Sequence, residues 1–116
     1  MTRILVADDS NVMRHGMLLP RQHEGWEVCG EAVDGQEAVV KAHQLAPDVV
    51  VLDFAMPVMN GIEAARQIRN ERPNTPNVLC SMYLDSHLAT VAHEAGIASV
   101  LSKSNIGLDF SKRLAA

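Results

Sequence analysis

Apolar residues along this chain fall into short runs that alternate with stretches of helical spacing, five times over. Arg3 to Ala7 carries Ile4-Leu5-Val6-Ala7, and Val49-Val50-Val51-Leu52-Asp53 drives four branched or large apolar side chains into a carboxylate. A run this short, bounded by Pro47 and Pro57, predicts a strand buried on both faces. Trp26 to Glu31 instead alternates, with Trp26 and Val28 set against Glu27 and Glu31, as suits an edge strand. Asn77 to Cys80 and Ala98 to Leu101 complete the set of five. Between the strands the spacing turns helical. One helix follows Ser10, which can cap it, and ends near Pro20; the next runs from about Gln36 to Ala46, with Ala38, Val39, Ala42 and Leu45 on one face. Another starts after Gly61 with Ile62, Ala65 and Ile68 facing inward. A fourth begins near Ser86, presents Leu88, Val91, Ala92 and Ala95, and closes at Gly96 in a left-handed cap. A last, short helix carries Ile106, Phe110 and Leu114.

Strict alternation with short loops predicts an α/β fold, a doubly wound parallel sheet with helices on both faces. For five strands the flavodoxin-like order 2-1-3-4-5 is favoured, because it leaves the alternating strand at an edge and buries the first and third. The chain reverses direction between those two strands, and ligands bind at such a switch point, outside the carboxyl ends. Asp8 and Asp9 after the first strand and Asp53 at the end of the third fall there.

The 116 residues read as a single domain, 1–116, large enough for one hydrophobic core. With 47% hydrophobic and 21% charged residues the composition is that of a globular domain. A formal net charge of −4 argues against direct contact with nucleic acid, which needs a basic face. No stretch approaches the ~20 apolar residues of a membrane span. Met1-Thr2-Arg3 leads into an apolar run too short for a signal peptide, so a cytoplasmic location is expected. Cys29 and Cys80 lie three strand spacings apart in the favoured order, roughly 14 Å, against the ~7 Å limit between Cα atoms for a disulfide. Both are expected to be free thiols, and two cysteines without a nearby histidine pair do not make a zinc site.

Three carboxylates in one crevice repel one another by about 3 kcal/mol per pair at ~5 Å and an effective dielectric of ~20. A hard divalent cation removes that cost, and carboxylates with waters form a site that Mg²⁺ accepts. The fourth strand delivers Ser81 to the same rim and the fifth delivers Lys103. A hydroxyl and an ammonium beside a metal held by carboxylates are what a phosphoryl group requires. Each residue alone has a plainer explanation. Acidic residues open helices, serines make turns and lysines cover surfaces. All five at strand ends reverse those odds. Asp34-Gly35 reads as turn chemistry, Glu63 as capping or solvating its helix, and the methionines as core filler. His15, His23, His43, His87 and His93 show no metal spacing and read as surface residues.

Asp8-Asp9, Asp53 followed by Met56-Pro57 and Asn60-Gly61-Ile62-Glu63, Ser81 and Lys103 together resemble the receiver domain of bacterial two-component response regulators, over essentially the full length. Gly16 and Gly30-Glu31-Ala32 further resemble receivers that precede helix-turn-helix output domains. The resemblance implies that Asp53 accepts a phosphoryl group from the phosphohistidine of a sensor histidine kinase or phosphotransfer protein. Asp8, Asp9, Asp53 and the Ala55 backbone carbonyl would hold Mg²⁺, Asp8 partly through water. Lys103 would pair with the carboxylate and then the phosphoryl oxygens, and Ser81 would swing toward the phosphoryl group. It also implies a phosphoacceptor that assists its own chemistry rather than a true enzyme, a possible homodimer, and DNA contact only through an output domain outside these residues.

The sequence departs from the family pattern at several positions. An aromatic three residues before the lysine is replaced by Val100; Met82 stands where a small residue is usual, and Ala55 has no side chain to position water. Tyr83 sits two residues after Ser81, and Ser104 replaces a common proline. Met82, Tyr83 and Val100 are therefore expected to modulate the switch, Val100 by altering its aromatic half, while Met82, Ala55 and Tyr83 imply a long-lived phosphorylated form. The alternative is a pseudo-receiver, never phosphorylated, acting as an interaction scaffold. An aspartate-dependent phosphatase would need a second Asp where Ala55 stands, and a nucleotide or flavin site would need a phosphate-cradling glycine loop after the first strand.

Overall fold

The computed structural model describes residues 2–10, 25–82 and 84–103. Five parallel strands, β1 (Thr2–Ala7), β2 (Trp26–Ala32), β3 (Val49–Asp53), β4 (Asn77–Ser81) and β5 (Ser99–Ser102), form one sheet in the order β2-β1-β3-β4-β5. The described helices are α1 (Gly35–Leu45), α2 (Gly61–Glu71) and α3 (Ser86–Glu94). The helices expected between Ser10 and Pro20 and around Phe110, with Gly16, Tyr83 and Ser104, lie outside the described residues.

The unbroken apolar runs are explained by burial on both faces. Leu5, Val50, Leu52 and Leu79 point to one side, where they meet Ala38 and Ala42 of α1, Ile62, Ala65 and Ile68 of α2, and Leu88 and Ala92 of α3. Ile4, Val6, Val51, Val78, Cys80 and Leu101 form a second apolar cluster on the other side. Both faces of β1 and β3 are therefore withdrawn from water, as parallel sheets require.

Strand β2 is an edge strand as its composition predicts, but its alternation is not simple. Ile4 pairs with Val28 and Leu5 with Gly30, so Cys29 is an extra residue in a bulge. A one-residue shift moves every later side chain to the opposite face. Trp26 and Val28 accordingly join the Ile4 cluster, whereas Ala32 joins the Leu5 cluster. Both cysteines are free, Cys80 buried and Cys29 half-buried.

Each described helix opens on a side-chain cap. Asp34 accepts from the Glu37 amide at 2.8 Å, Asn60 from Glu63 at 2.9 Å and Asp85 from Leu88 at 2.7 Å. Asp34-Gly35 thus starts a helix rather than serving as a simple turn. Gly35 packs so closely on the Met59 backbone that a Cβ would overlap it. Asn60, not Glu63, supplies the cap of α2; Glu63 lies exposed in its first turn, the solvated position expected of it. Gly96 has φ 79° and ends α3 in a left-handed turn, as its position implied. The methionines divide. Met56 is core, but Met82 is 61% exposed and fills nothing.

Val58 is the strained residue of the β3–α2 loop. Its φ is 70°, and the Met59 amide donates to the Pro57 carbonyl at 2.7 Å across it. That is a γ-turn of positive φ, a rare and strained form, and β-branched side chains tolerate it least. The Val58 side chain is 75% exposed, so little burial compensates. Val58→Gly is expected to stabilise the fold by about 0.5–1 kcal/mol, roughly 2–5 °C in Tm by thermal unfolding, after the entropy that glycine adds to the unfolded chain is subtracted.

Candidate functional site

The parallel sheet aims the carboxyl ends of all five strands at one rim. Asp8, directly after β1, is fully buried; its Oδ1 accepts from the Ser10 amide at 2.9 Å, and its own amide donates to the Ala32 carbonyl at 3.0 Å. Asp53, the last residue of β3, is 3% exposed, and Asp9 faces solvent. Oxygen atoms of Asp8, Asp9 and Asp53 lie within 4.8 Å of one another.

Lys103 follows β5 and reaches across this group. Its Nζ stands 3.0 Å from Asp8 Oδ2 and 2.9 Å from Asp53 Oδ1, with the side chain 9% exposed. Three carboxylates and one ammonium leave two net negative charges in a small volume. The deficit equals the charge of a divalent cation. Hard oxygen donors, one on the solvent side, fit an ion such as Mg²⁺ that retains water. Asp8, Asp9 and Asp53 are the described residues that would hold it.

The titration of the pair follows from this geometry. Burial raises the Asp53 pKa, opposed by the Lys103 hydrogen bond and assisted by the charges of Asp8 and Asp9. Burial also works against the Lys103 charge, but hydrogen bonds to Asp53 and Asp8 outweigh it and hold its pKa above the usual lysine value. The ammonium is therefore secure at neutral pH, while the Asp53 carboxylate is ionised at a cost.

The loop after β3 is fixed by backbone contacts. Phe54 donates to the Cys80 carbonyl and Gly61 to the Phe54 carbonyl, both at 2.9 Å. A Cβ at Gly61 would strike the Asp53 carbonyl, so only glycine closes the loop there. Ala55, in this loop, is exposed. Ser81 ends β4 and is buried, beside exposed Met82. Val100 pairs with Leu79 on β5 and packs half-buried against the apolar cluster under α1, α2 and α3. The position expected to carry an aromatic switch is thus a small aliphatic one.

Asp53, Ala55, Ser81, Met82 and Lys103 line one cleft, joined by groups that sequence reasoning left aside. Arg66 was not singled out, and His87 is exposed, as a surface residue should be; both line the cleft. The signal available was helical spacing, since Ile62 with Arg66 and His87 with Val91 each share a face. Val33, Val58, Met82 and Leu84, four of the five exposed large hydrophobics among the described residues, lie on loops at this same rim.

Removing one carboxylate relieves the repulsion. A carboxyl whose pKa is raised by folding favours the fold at low pH, and that advantage is lost as pH rises from the ordinary carboxylate range through the raised value. Asp53→Asn is therefore expected to raise Tm at neutral pH in metal-free buffer by about 4 °C, corresponding to ~1 kcal/mol. The difference from the parent should shrink as pH falls toward the carboxylate range, in paired thermal melts.

Comparison with known proteins agrees with this geometry. The response regulator receiver domain family matches residues 4–114. The chain is 38% identical over 101 residues to the chemotaxis protein CheY of Thermotoga maritima, covering 87% of this chain and 84% of that protein. It is 36% identical over 104 residues to the transcriptional regulatory protein YdfI of Bacillus subtilis, covering 89% of this chain but 48% of that one. The chain thus spans about half the length of that relative. The signal receiver domain of the response regulator NarL from Mycobacterium tuberculosis superposes with a TM-score of 0.92 at 30% identity, covering 98% of this chain and 93% of that one. Fold, rim chemistry and sequence similarity converge: the chain belongs to the response regulator receiver domain family of two-component systems.

Proposed function

We propose that this receiver is a phosphorylation-dependent switch in which Asp53 accepts a phosphoryl group from the phosphohistidine of a sensor histidine kinase or phosphotransfer protein. The observation that carries this reading is the Lys103 ammonium held between Asp8 and Asp53. An Asp53 oxygen attacks phosphorus, the phosphorus–nitrogen bond breaks, and the imidazole leaves with the bonding electrons. Lys103 keeps the attacking carboxylate oriented and then offers its charge to the phosphoryl oxygens. A Mg²⁺ ion held by Asp8, Asp9 and Asp53, with the Ala55 carbonyl, would supply the remaining charge neutralisation. The Ser81 hydroxyl, at the end of β4, would donate to the added group and draw its loop along, converting ~−2 of charge into a change of shape. The domain is a phosphoacceptor rather than an enzyme with a separate substrate.

The exposed apolar residues around the rim support docking of a protein partner over Asp53. YdfI, about twice as long as this chain, is named as a transcriptional regulator, which supports an output through a further DNA-binding domain. Phosphorylation would then control homodimerisation or release of that domain. No helix among the described residues is long and apolar enough to cross a membrane, and action in the cytoplasm, beside the kinase's catalytic part, belongs to the same reading.

Acetyl phosphate with Mg²⁺ is expected to add the mass of one phosphoryl group in intact mass spectrometry. The adduct should vanish in Asp53→Asn, and Lys103→Ala should slow its formation at least about tenfold, as loss of a charged transition-state partner does. An Asp53 that stays unmodified under these conditions would identify a scaffold instead. Met82 stands at the cleft mouth, where it shields the phosphoryl group from water. Met82→Ala is expected to shorten the lifetime of phospho-Asp53 several-fold, measured as decay of the adduct after the donor is removed.

A further inference from the structure

The acidic pocket does not end at the phosphoacceptor. It continues between α2 and α3 as a cleft of about 640 Å³, past Ile62 and Leu88 to Arg66 and Val91, one helical turn further. This is the size of a small-molecule site, roughly 300–1,000 Å³, and much more than a phosphoryl group fills. Its two ends differ in chemistry. At one, Lys103 and Ser81 stand beside Asp53; beyond them the buried Ile62 and Leu88 and the half-buried Phe54 and Val91 present apolar side chains, while the charged and polar groups that also line the cleft, Glu63, Arg66, Asp85 and His87, are exposed. An anionic head with an uncharged apolar body matches that order. The cleft is concave and runs between two helices, a shape that suits a small molecule better than the face of a folded partner.

We propose that this cleft is a leaving-group subsite, one that holds the acyl part of an acyl phosphate whose phosphoryl group passes to Asp53. It favours acyl parts that are apolar and larger than methyl, such as an aromatic or branched acyl group. This rests on the reading of Asp53 as a phosphoacceptor. In the step, an Asp53 oxygen forms a bond to phosphorus, and the bond from phosphorus to the acyl oxygen breaks. The carboxylate leaves with the electron pair, and no proton, oxidant or reductant is required. A methyl group leaves the apolar stretch in water, whereas a phenyl or branched group displaces that water, and the burial gained favours the larger donor.

The test compares acetyl phosphate with benzoyl phosphate as donors to the whole chain, each with Mg²⁺, reading adduct formation by intact mass spectrometry. Benzoyl phosphate is expected to give a second-order rate constant of adduct formation about tenfold above acetyl phosphate, equivalent to ~1.4 kcal/mol. Val91→Phe fills the cleft and should bring that ratio close to one. The ratio is internal to each variant, so a general loss of folded protein does not imitate the effect. A parent ratio near one, or a ratio that Val91→Phe leaves high, overturns the subsite while the phosphoacceptor reading stands. No adduct from either donor overturns both.

Discussion

One ammonium between two buried carboxylates holds the functional rim of this sheet together. Lys103 lies 3.0 Å from Asp8 and 2.9 Å from Asp53, each deeply buried, so these charges are not screened as surface pairs are. The three groups come from the ends of three different strands, and the lysine pairs with both carboxylates at once. Their number does not balance, because Asp9 adds a further negative charge at the solvent edge. A pocket built this way is set to gain from a cation. The fold tolerates the imbalance because the sheet beneath has both faces buried.

The loops around that rim are tied down by close backbone contacts on the β3 side and exposed on the β4 side. Asp53 is fixed by the short loop that Gly61 closes against its carbonyl and by the tie from Phe54 to Cys80. Gly35 locks the same loop against the start of α1 through Met59. On the β4 side the pattern is different. Ser81 is buried at the strand end, but Met82 and Leu84 beyond it are largely exposed. A change at Ser81 therefore reaches an apolar surface within a few residues. On β5 the matching position holds Val100, a half-buried aliphatic side chain packed on the apolar cluster.

Much of this was legible in the chain because burial on both faces leaves a plain mark. Val49 to Leu52 could only be a central strand, and a carboxylate at its end could only be tolerated at a rim. The alternation of Trp26 to Glu31 identified an edge, yet it concealed the bulge at Cys29, since one extra residue leaves the local polarity unchanged. Asp34-Gly35 read as a turn because helix caps and turns use the same residues. Val58 gave no signal, since nothing in a valine announces a positive φ. Arg66 and His87 are exposed, as solvated side chains are, and their place along the cleft emerged only once two helices were set side by side.

By itself, then, the sequence determined the five strands, their α/β alternation and the identity of the groups at each strand end. Hydrophobic period and residue type are local properties, and they survive without knowledge of neighbours. Only the tertiary structure decided that one lysine spans two carboxylates, that Asp9 is the exposed member of the acidic group, and that the pocket extends between α2 and α3. Distances between strand ends, the register across a bulge and the space between helices depend on residues far apart in the chain, which only packing brings together.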